Sequence, residues 1–158
     1  ERWVADDDND RNERLVRETL LTQNARDAEC VSLIPVSGEH DDDIASVLAR
    51  LASLPEFDVV LLGMGEDAHT ASLFPCAAEL AAGMTTHDDA LITRPLSAPY
   101  TRVSLSKNRL LNTRHGMLHI VGEKKKSVLE SAWQSGDEMQ YPISAFVGQS
   151  GFDCWWAP

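Results

Sequence analysis

Cysteine is scarce in this chain and badly placed for cross-linking. Its three cysteines, Cys30, Cys76 and Cys154, are odd in number and far apart, which excludes a disulfide framework or a CxxC metal knuckle. Positive charge is also in short supply: 14 Lys plus Arg stand against 25 Asp plus Glu, a formal net charge of −11. So acidic a chain repels phosphodiester backbones and anionic bilayers, so neither nucleic acid nor a membrane is expected as a partner. No apolar run approaches the ~20 residues that a bilayer span requires. Glu1-Arg2-Trp3-Val4 lacks the basic-then-apolar order of a secretory signal. A non-exported chain in the reducing cytoplasm is the expectation. Asp6-Asp7-Asp8 and Asp41-Asp42-Asp43 are dense in carboxylates but lack the alternating ligands, central glycine and distal glutamate of a calcium loop, so they read as solvated turns and no metal is assigned. P-loop, G-x-S-x-G and H-E-x-x-H motifs are absent, as are internal repeats, linkers and composition breaks.

What remains is a chain of 158 residues, 43% hydrophobic, enough for the core of one domain spanning residues 1–158. From Asn12 onward, Leu15, Val16, Thr19 and Leu20 recur at helical spacing among charged residues, predicting an amphipathic helix. Val31 to Val36 is short and β-branched and reads as a buried strand. Ile44, Val47, Leu48 and Leu51 predict a second helix behind the Asp41 to Asp43 carboxylates. Pro55 ends it, and Phe57 to Leu62 follows as the clearest strand. Shorter strands are expected at Ala90 to Ile92 and Arg102 to Leu105, a buried one at Met117 to Val121, a helix from Lys124 to Trp133, and a strand-like tail at Trp155-Trp156. Helices alternating with apolar strands indicate an α/β fold, with a mainly parallel sheet between helices.

Chemistry concentrates in Gly63-Met64-Gly65-Glu66-Asp67-Ala68-His69-Thr70-Ala71-Ser72-Leu73-Phe74-Pro75. This loop leaves the carboxyl end of the central strand, where open α/β sheets place their binding crevice. Gly63 and Gly65 let the backbone turn sharply, while Asp67 and His69 set a carboxylate two residues from an imidazole, the layout of a general base and its orienting acid. The same imidazole could instead cap a helix or sit in a polar loop. Gly63-x-Gly65-x-x-Ala68 also satisfies a dinucleotide fingerprint, with Asp88 as the distal acid. Pro75 interrupts the helix that such a turn must open, and Glu66 and Asp67 would repel a pyrophosphate.

The segment closely resembles the signature of the 6-phosphogluconolactonases, Gly-Met-Gly-x-Asp-Gly-His-Thr-Ala-Ser-Leu-Phe-Pro. The likeness extends in register to Glu1-Arg2-Trp3-Val4, to Asn12 with Leu15-Val16-Arg17 and Leu20-Leu21, to Pro99-x-x-Arg102-Val103-Ser104-Leu105, to Gly122-x-x-Lys125 and to Pro142-Ile143-Ser144-Ala145. Two positions depart from it: Arg11 stands where the family usually has Ser, and Ala68 where it usually has Gly. A methyl group at position 68 would be strained if that backbone needs a positive φ. Family members also carry an earlier strand and a glycine-rich phosphate loop, so the chain is expected to be a C-terminal portion of the three-layer, doubly wound family fold.

The resemblance implies hydrolysis of 6-phospho-glucono-lactone to 6-phosphogluconate in the oxidative pentose phosphate pathway, without metal or organic cofactor. Under it, His69 is the general base and Asp67 holds it. Gly63 and Gly65 supply backbone N–H groups to the oxyanion, Arg102 and Lys125 bind the phosphate, and Arg2 and Asn12 line the crevice. Without it, Lys124-Lys125-Lys126 would read as an ordinary solvated run. Trp155 and Trp156 suit core or interface better than a platform for a small polar sugar. A monomer or weak homo-oligomer is expected. The rivals are a glucosamine-6-phosphate deaminase or isomerase, against which Thr70 to Pro75 weighs, and a sugar-phosphate-binding module without catalysis.

Overall fold

The computed structural model describes residues 1–35, 44–148 and 151–158. Its frame is a three-stranded parallel sheet in the order β1-β4-β5, formed by β1 (Phe57–Leu62), β4 (Thr113–Val121) and β5 (Phe152–Ala157). The expected parallel α/β architecture is present. Alternation along the strands sends Val60, Leu62, Leu118 and Ile120 to one face, where they pack with Leu80, Leu110, Ala132, Ile143 and Phe146. Gly116 lies in β4 where any Cβ would meet the Phe152 ring at 2.3 Å, so only glycine lets β5 pack there. The opposite face is open: Val59 is 55%, Leu61 65%, Val121 53% and Trp155 58% exposed.

α5 (Glu123–Ser135) links β4 to β5, and Gly136, left-handed at φ 63°, stops it. Between β1 and β4 run α3 (Leu80–Thr85), β2 (Ala90–Thr93), β3 (Arg102–Leu105) and α4 (Lys107–Leu111), the last capped by the Ser106 hydroxyl, which accepts from the Arg109 N–H. β2 and β3 pair antiparallel as a separate ribbon. The first residues extend it: the Glu1 nitrogen donates to the Val103 carbonyl (2.7 Å), the Val103 N–H to the Glu1 carbonyl (2.9 Å) and the Trp3 N–H to the Thr101 carbonyl (2.8 Å). A second small core, Val47, Leu51, Ala90 and Val103 with Trp3, joins this ribbon to α2 (Ala45–Ala52).

Three expectations need correction or limits. Residues 31–35 form no strand, because no described strand lies alongside them. Arg50 satisfies two of their carbonyls instead, Nε donating to Ser32 O (3.1 Å) and Nη2 to Ile34 O (2.6 Å). Val36 and Asp41 to Asp43 lie outside the described residues. The helix predicted from Asn12 is α1 (Asn12–Thr19), yet none of its residues is buried. No described helix is long and apolar enough to cross a membrane.

Candidate functional site

β1 delivers the chain into the Gly63 to Pro75 loop, which is tied down at both sequence and core level. The Gly65 N–H donates to the His69 carbonyl (2.9 Å) and the Ala68 N–H to the Gly65 carbonyl (3.1 Å), closing a tight turn. Thr70 Oγ1 donates to the Gly63 carbonyl (2.8 Å). Met64, Ala68, Leu73 and Phe74 are buried and anchor the loop, and the Ile143 N–H donates to the Ala68 carbonyl (3.1 Å). Ala68 has φ 64° and Ala71 φ 50°, both left-handed, so the family's glycine position does need the conformation that strains a methyl-bearing residue. No helix begins until Leu80, which removes the support a dinucleotide turn requires.

At the tip of this turn His69 Nδ1 lies 2.5 Å from Asp67 Oδ1, and the same oxygen accepts the His69 N–H at 3.2 Å. A neutral imidazole that donates through Nδ1 keeps its lone pair on Nε2, where a base must have it. The ring is partly exposed and stacks on Phe74 at 4.0 Å with a 20° interplanar angle. A Cβ on Gly65 would fall 2.2 Å from His69 Nδ1 and 2.6 Å from Asp67 Oδ1. Gly65 is therefore required for space. Its N–H, expected to face an oxyanion, is given to the His69 carbonyl within the turn.

The other side of Phe74's surroundings is cationic. The Arg102 guanidinium lies 5.2 Å from the Phe74 ring centroid, and Arg102 bridges directly to Arg2 across the extended ribbon. Like charges set opposite each other repel. Arg102 is buried, and its Nη2 makes a long 3.3 Å bond to the Pro99 carbonyl. The Nε atoms of both Arg2 and Arg102 are buried without a hydrogen-bond partner. Burial first, and then repulsion by Arg2, depress the Arg102 pKa against the opposing pull of Glu1. Two crowded, under-bonded guanidiniums are what an anion would complete.

The remaining predicted residues sit around this centre. Lys125 is half-buried in the first turn of α5 and has no side-chain partner among the described residues. Its neighbour Lys124 pairs with Glu66 of the loop, drawing that turn toward it. Asn12 is exposed, and its N–H donates to Glu1 Oε1 (2.8 Å), but no hydrogen bond joins it to His69. Gly63 shapes the loop through the carbonyl that Thr70 binds. Sequence reasoning passed over Phe74, although it lies within the signature, because an apolar residue there reads as core. Among the described residues no group of three or more His, Cys, Asp or Glu converges as a metal site.

The family model for glucosamine-6-phosphate isomerases and 6-phosphogluconolactonase matches residues 1–156, and the chain belongs to this family. Among individual proteins, it is 36% identical over 150 residues to a 6-phosphogluconolactonase of Neisseria meningitidis, covering 92% of this chain and 64% of the relative. With one of Rhizobium meliloti it shares 36% over 163 residues, covering 100% of this chain and 70% of the relative. The crystal structure of a 6-phosphogluconolactonase from Shewanella baltica superimposes with a TM-score of 0.94 at 41% identity, over 100% of this chain and 69% of that one. The chain thus spans a little under two thirds of the length of the Neisseria relative.

Proposed function

We propose that this chain carries the hydrolytic site of a 6-phosphogluconolactonase. The observation that carries the reading is the Arg102 guanidinium set one aromatic ring away from the Asp67 and His69 dyad, with Arg2 opposite it on the ribbon and the Nε of each arginine without a hydrogen-bond partner. The guanidiniums hold the phosphate and Lys125 adds a third cation, while the ring of Phe74 spaces that anchor from the base. Asn12 and Gly63 complete the walls of the crevice.

Water attacks the lactone carbonyl carbon as His69 Nε2 takes its proton, and Asp67 stabilises the imidazolium through Nδ1–H. The tetrahedral intermediate then collapses, the bond from carbonyl carbon to ring oxygen breaks, and His69 returns the proton to that oxygen. One imidazole serves both steps, and the product is the open-chain acid. The step requires no metal or organic cofactor.

Incubation with freshly generated 6-phospho-glucono-lactone tests this, with acid release measured above spontaneous hydrolysis. Turnover that falls by about 10²-fold or more in His69→Ala, with unchanged circular dichroism, supports it. Turnover at the parent rate in that variant overturns His69 as the base, and saturable binding without turnover leaves a sugar-phosphate-binding module.

A further inference from the structure

Tyr100 is a bulky residue held at φ 73°, a left-handed conformation of the kind that survives only where surrounding contacts over-determine it. Its neighbours are pinned. The Thr101 carbonyl accepts from Trp3, and Arg102 bridges Arg2. The strained backbone projects a half-exposed phenol whose hydroxyl donates to Asp10 Oδ2 at 2.7 Å. Asp10 in turn holds Arg2: its carbonyl accepts Arg2 Nη1 at 2.9 Å, and its Oδ1 lies 3.6 Å from the same nitrogen. The Asp10 N–H is fixed by Asp8 Oδ1 at 2.8 Å. No hydrogen bond or ion pair joins Tyr100 or Asp10 to His69 or Asp67.

We infer that Tyr100 and Asp10 are positioning residues that aim Arg2 at the substrate's phosphate. Arg2 faces a second guanidinium, and repulsion would swing its long side chain toward solvent. Asp10 removes that freedom by engaging Nη1, while Nε stays buried without a partner. Tyr100 fixes the carboxylate that does this. It also ties the segment that leads into β3 to the Asp8 to Asp10 turn that holds Arg2. The phenol serves as a donor to a carboxylate, and that contact raises its pKa above the ordinary tyrosine value.

This inference rests on the phosphate-site reading above, and the experiment separates the two. Tyr100→Phe, Asp10→Asn, Arg2→Ala, Arg102→Ala and the Tyr100→Phe/Arg2→Ala double variant are assayed on 6-phospho-glucono-lactone and on unphosphorylated gluconolactone. Equilibrium binding of 6-phosphogluconate, which needs no turnover, is read on the same series. Tyr100→Phe is expected to raise KM for the phosphorylated lactone and weaken 6-phosphogluconate binding about three- to tenfold, the scale of one hydrogen bond, with the loss confined to KM. In the Arg2→Ala background the same change should have no further effect, because its target is gone. A Tyr100→Phe variant that binds as the parent does, or that weakens both lactones equally, or whose effect multiplies with that of Arg2→Ala, overturns the positioning role. If Arg2→Ala and Arg102→Ala leave the preference for the phosphorylated lactone intact, the phosphate site itself is refuted.

Discussion

At position 65 the side chain is a single hydrogen, and His69 and Asp67 occupy the space any larger one would need. Gly65→Ala would put a methyl carbon 2.2 Å from His69 Nδ1, so the imidazole must leave its carboxylate. The expected outcome is a loss of lactonase turnover by about 10²-fold, approaching that of His69→Ala, with far-UV circular dichroism unchanged. Retained turnover in Gly65→Ala would show that the Asp67 contact is dispensable. Position 68 behaves differently. A left-handed alanine costs ~1–2 kcal/mol, yet its methyl is fully buried among Leu73, Ile143 and their neighbours. Ala68→Gly relieves the strain but removes about 0.8 kcal/mol of burial and adds about 0.4–1 kcal/mol of unfolded-state entropy. These terms nearly cancel, so a urea midpoint close to the parent's is expected, and a loss above about 2 kcal/mol would mean that packing outweighs strain there. The sequence announced this tension, since a methyl stood where the family signature has glycine. It could not announce Phe74, whose role depends on where Arg102 arrives from a distant strand.

Elements with an apolar pattern of their own were legible, whatever holds them in place in the folded chain. β1 follows from its apolar run and β3 from the polar and apolar alternation of Arg102 to Leu105, and the helix expected from Lys124 to Trp133 is α5. α3 and α4 are too short to show a period. The stretch at Val31 has the composition of a strand but no described neighbour to pair with, a condition no local pattern encodes. α1 was foreseen from its apolar spacing, yet the structure holds it by charge. The Glu1 carboxylate accepts the Asn12 and Glu13 N–H groups at 2.8 and 2.6 Å, capping the helix in place of Arg11. Glu13 Oε2 receives Arg11 Nη2 at 2.8 Å and the Ser32 hydroxyl at 2.6 Å, and Glu13 Oε1 receives Arg17 at 2.8 Å. Burial pushes the Glu13 pKa up, but the bonds from Arg11, Ser32 and Arg17 outweigh it and bring it down to about 2. Because the folded value lies below the unfolded one, the stabilisation is present above pH ~4.5 and is lost as pH falls toward ~2. Its full size is on the order of 3 kcal/mol. Glu13→Gln should lower stability at pH 7 by an amount of that order and flatten the acid limb of the stability curve. Urea midpoints at pH 7, 4 and 2.5 measure both, and an unchanged acid limb would remove Glu13 from the account.

Across the whole molecule the apolar surface is distributed unevenly. One sheet face is packed, whereas the other presents Val59, Leu61, Val121 and Trp155, and Leu15 and Leu20 of α1 are exposed as well. β1 pairs with β4 alone, so its second edge has no strand beside it among the described residues. An open edge next to an uncovered apolar face is a template for association. The net charge of −11 opposes this at low salt but is screened as ionic strength rises. The 158-residue chain is therefore expected to self-associate on a sizing column, and to do so more at 0.5 M than at 0.05 M salt. The relatives are longer, and the resemblance implies that their additional length includes a strand and a glycine-rich loop on the amino-terminal side. An extended form carrying such a segment should elute as a smaller, monodisperse species and bind 6-phosphogluconate more tightly, because the strand covers the β1 edge and the loop adds backbone N–H donors to the anion held by Arg2 and Arg102. Both forms are to be compared by sizing and by binding. A monodisperse 158-residue monomer, with affinity and turnover equal to those of the extended form, would mean that the open face is tolerated in solution and that the two arginines suffice for the phosphate.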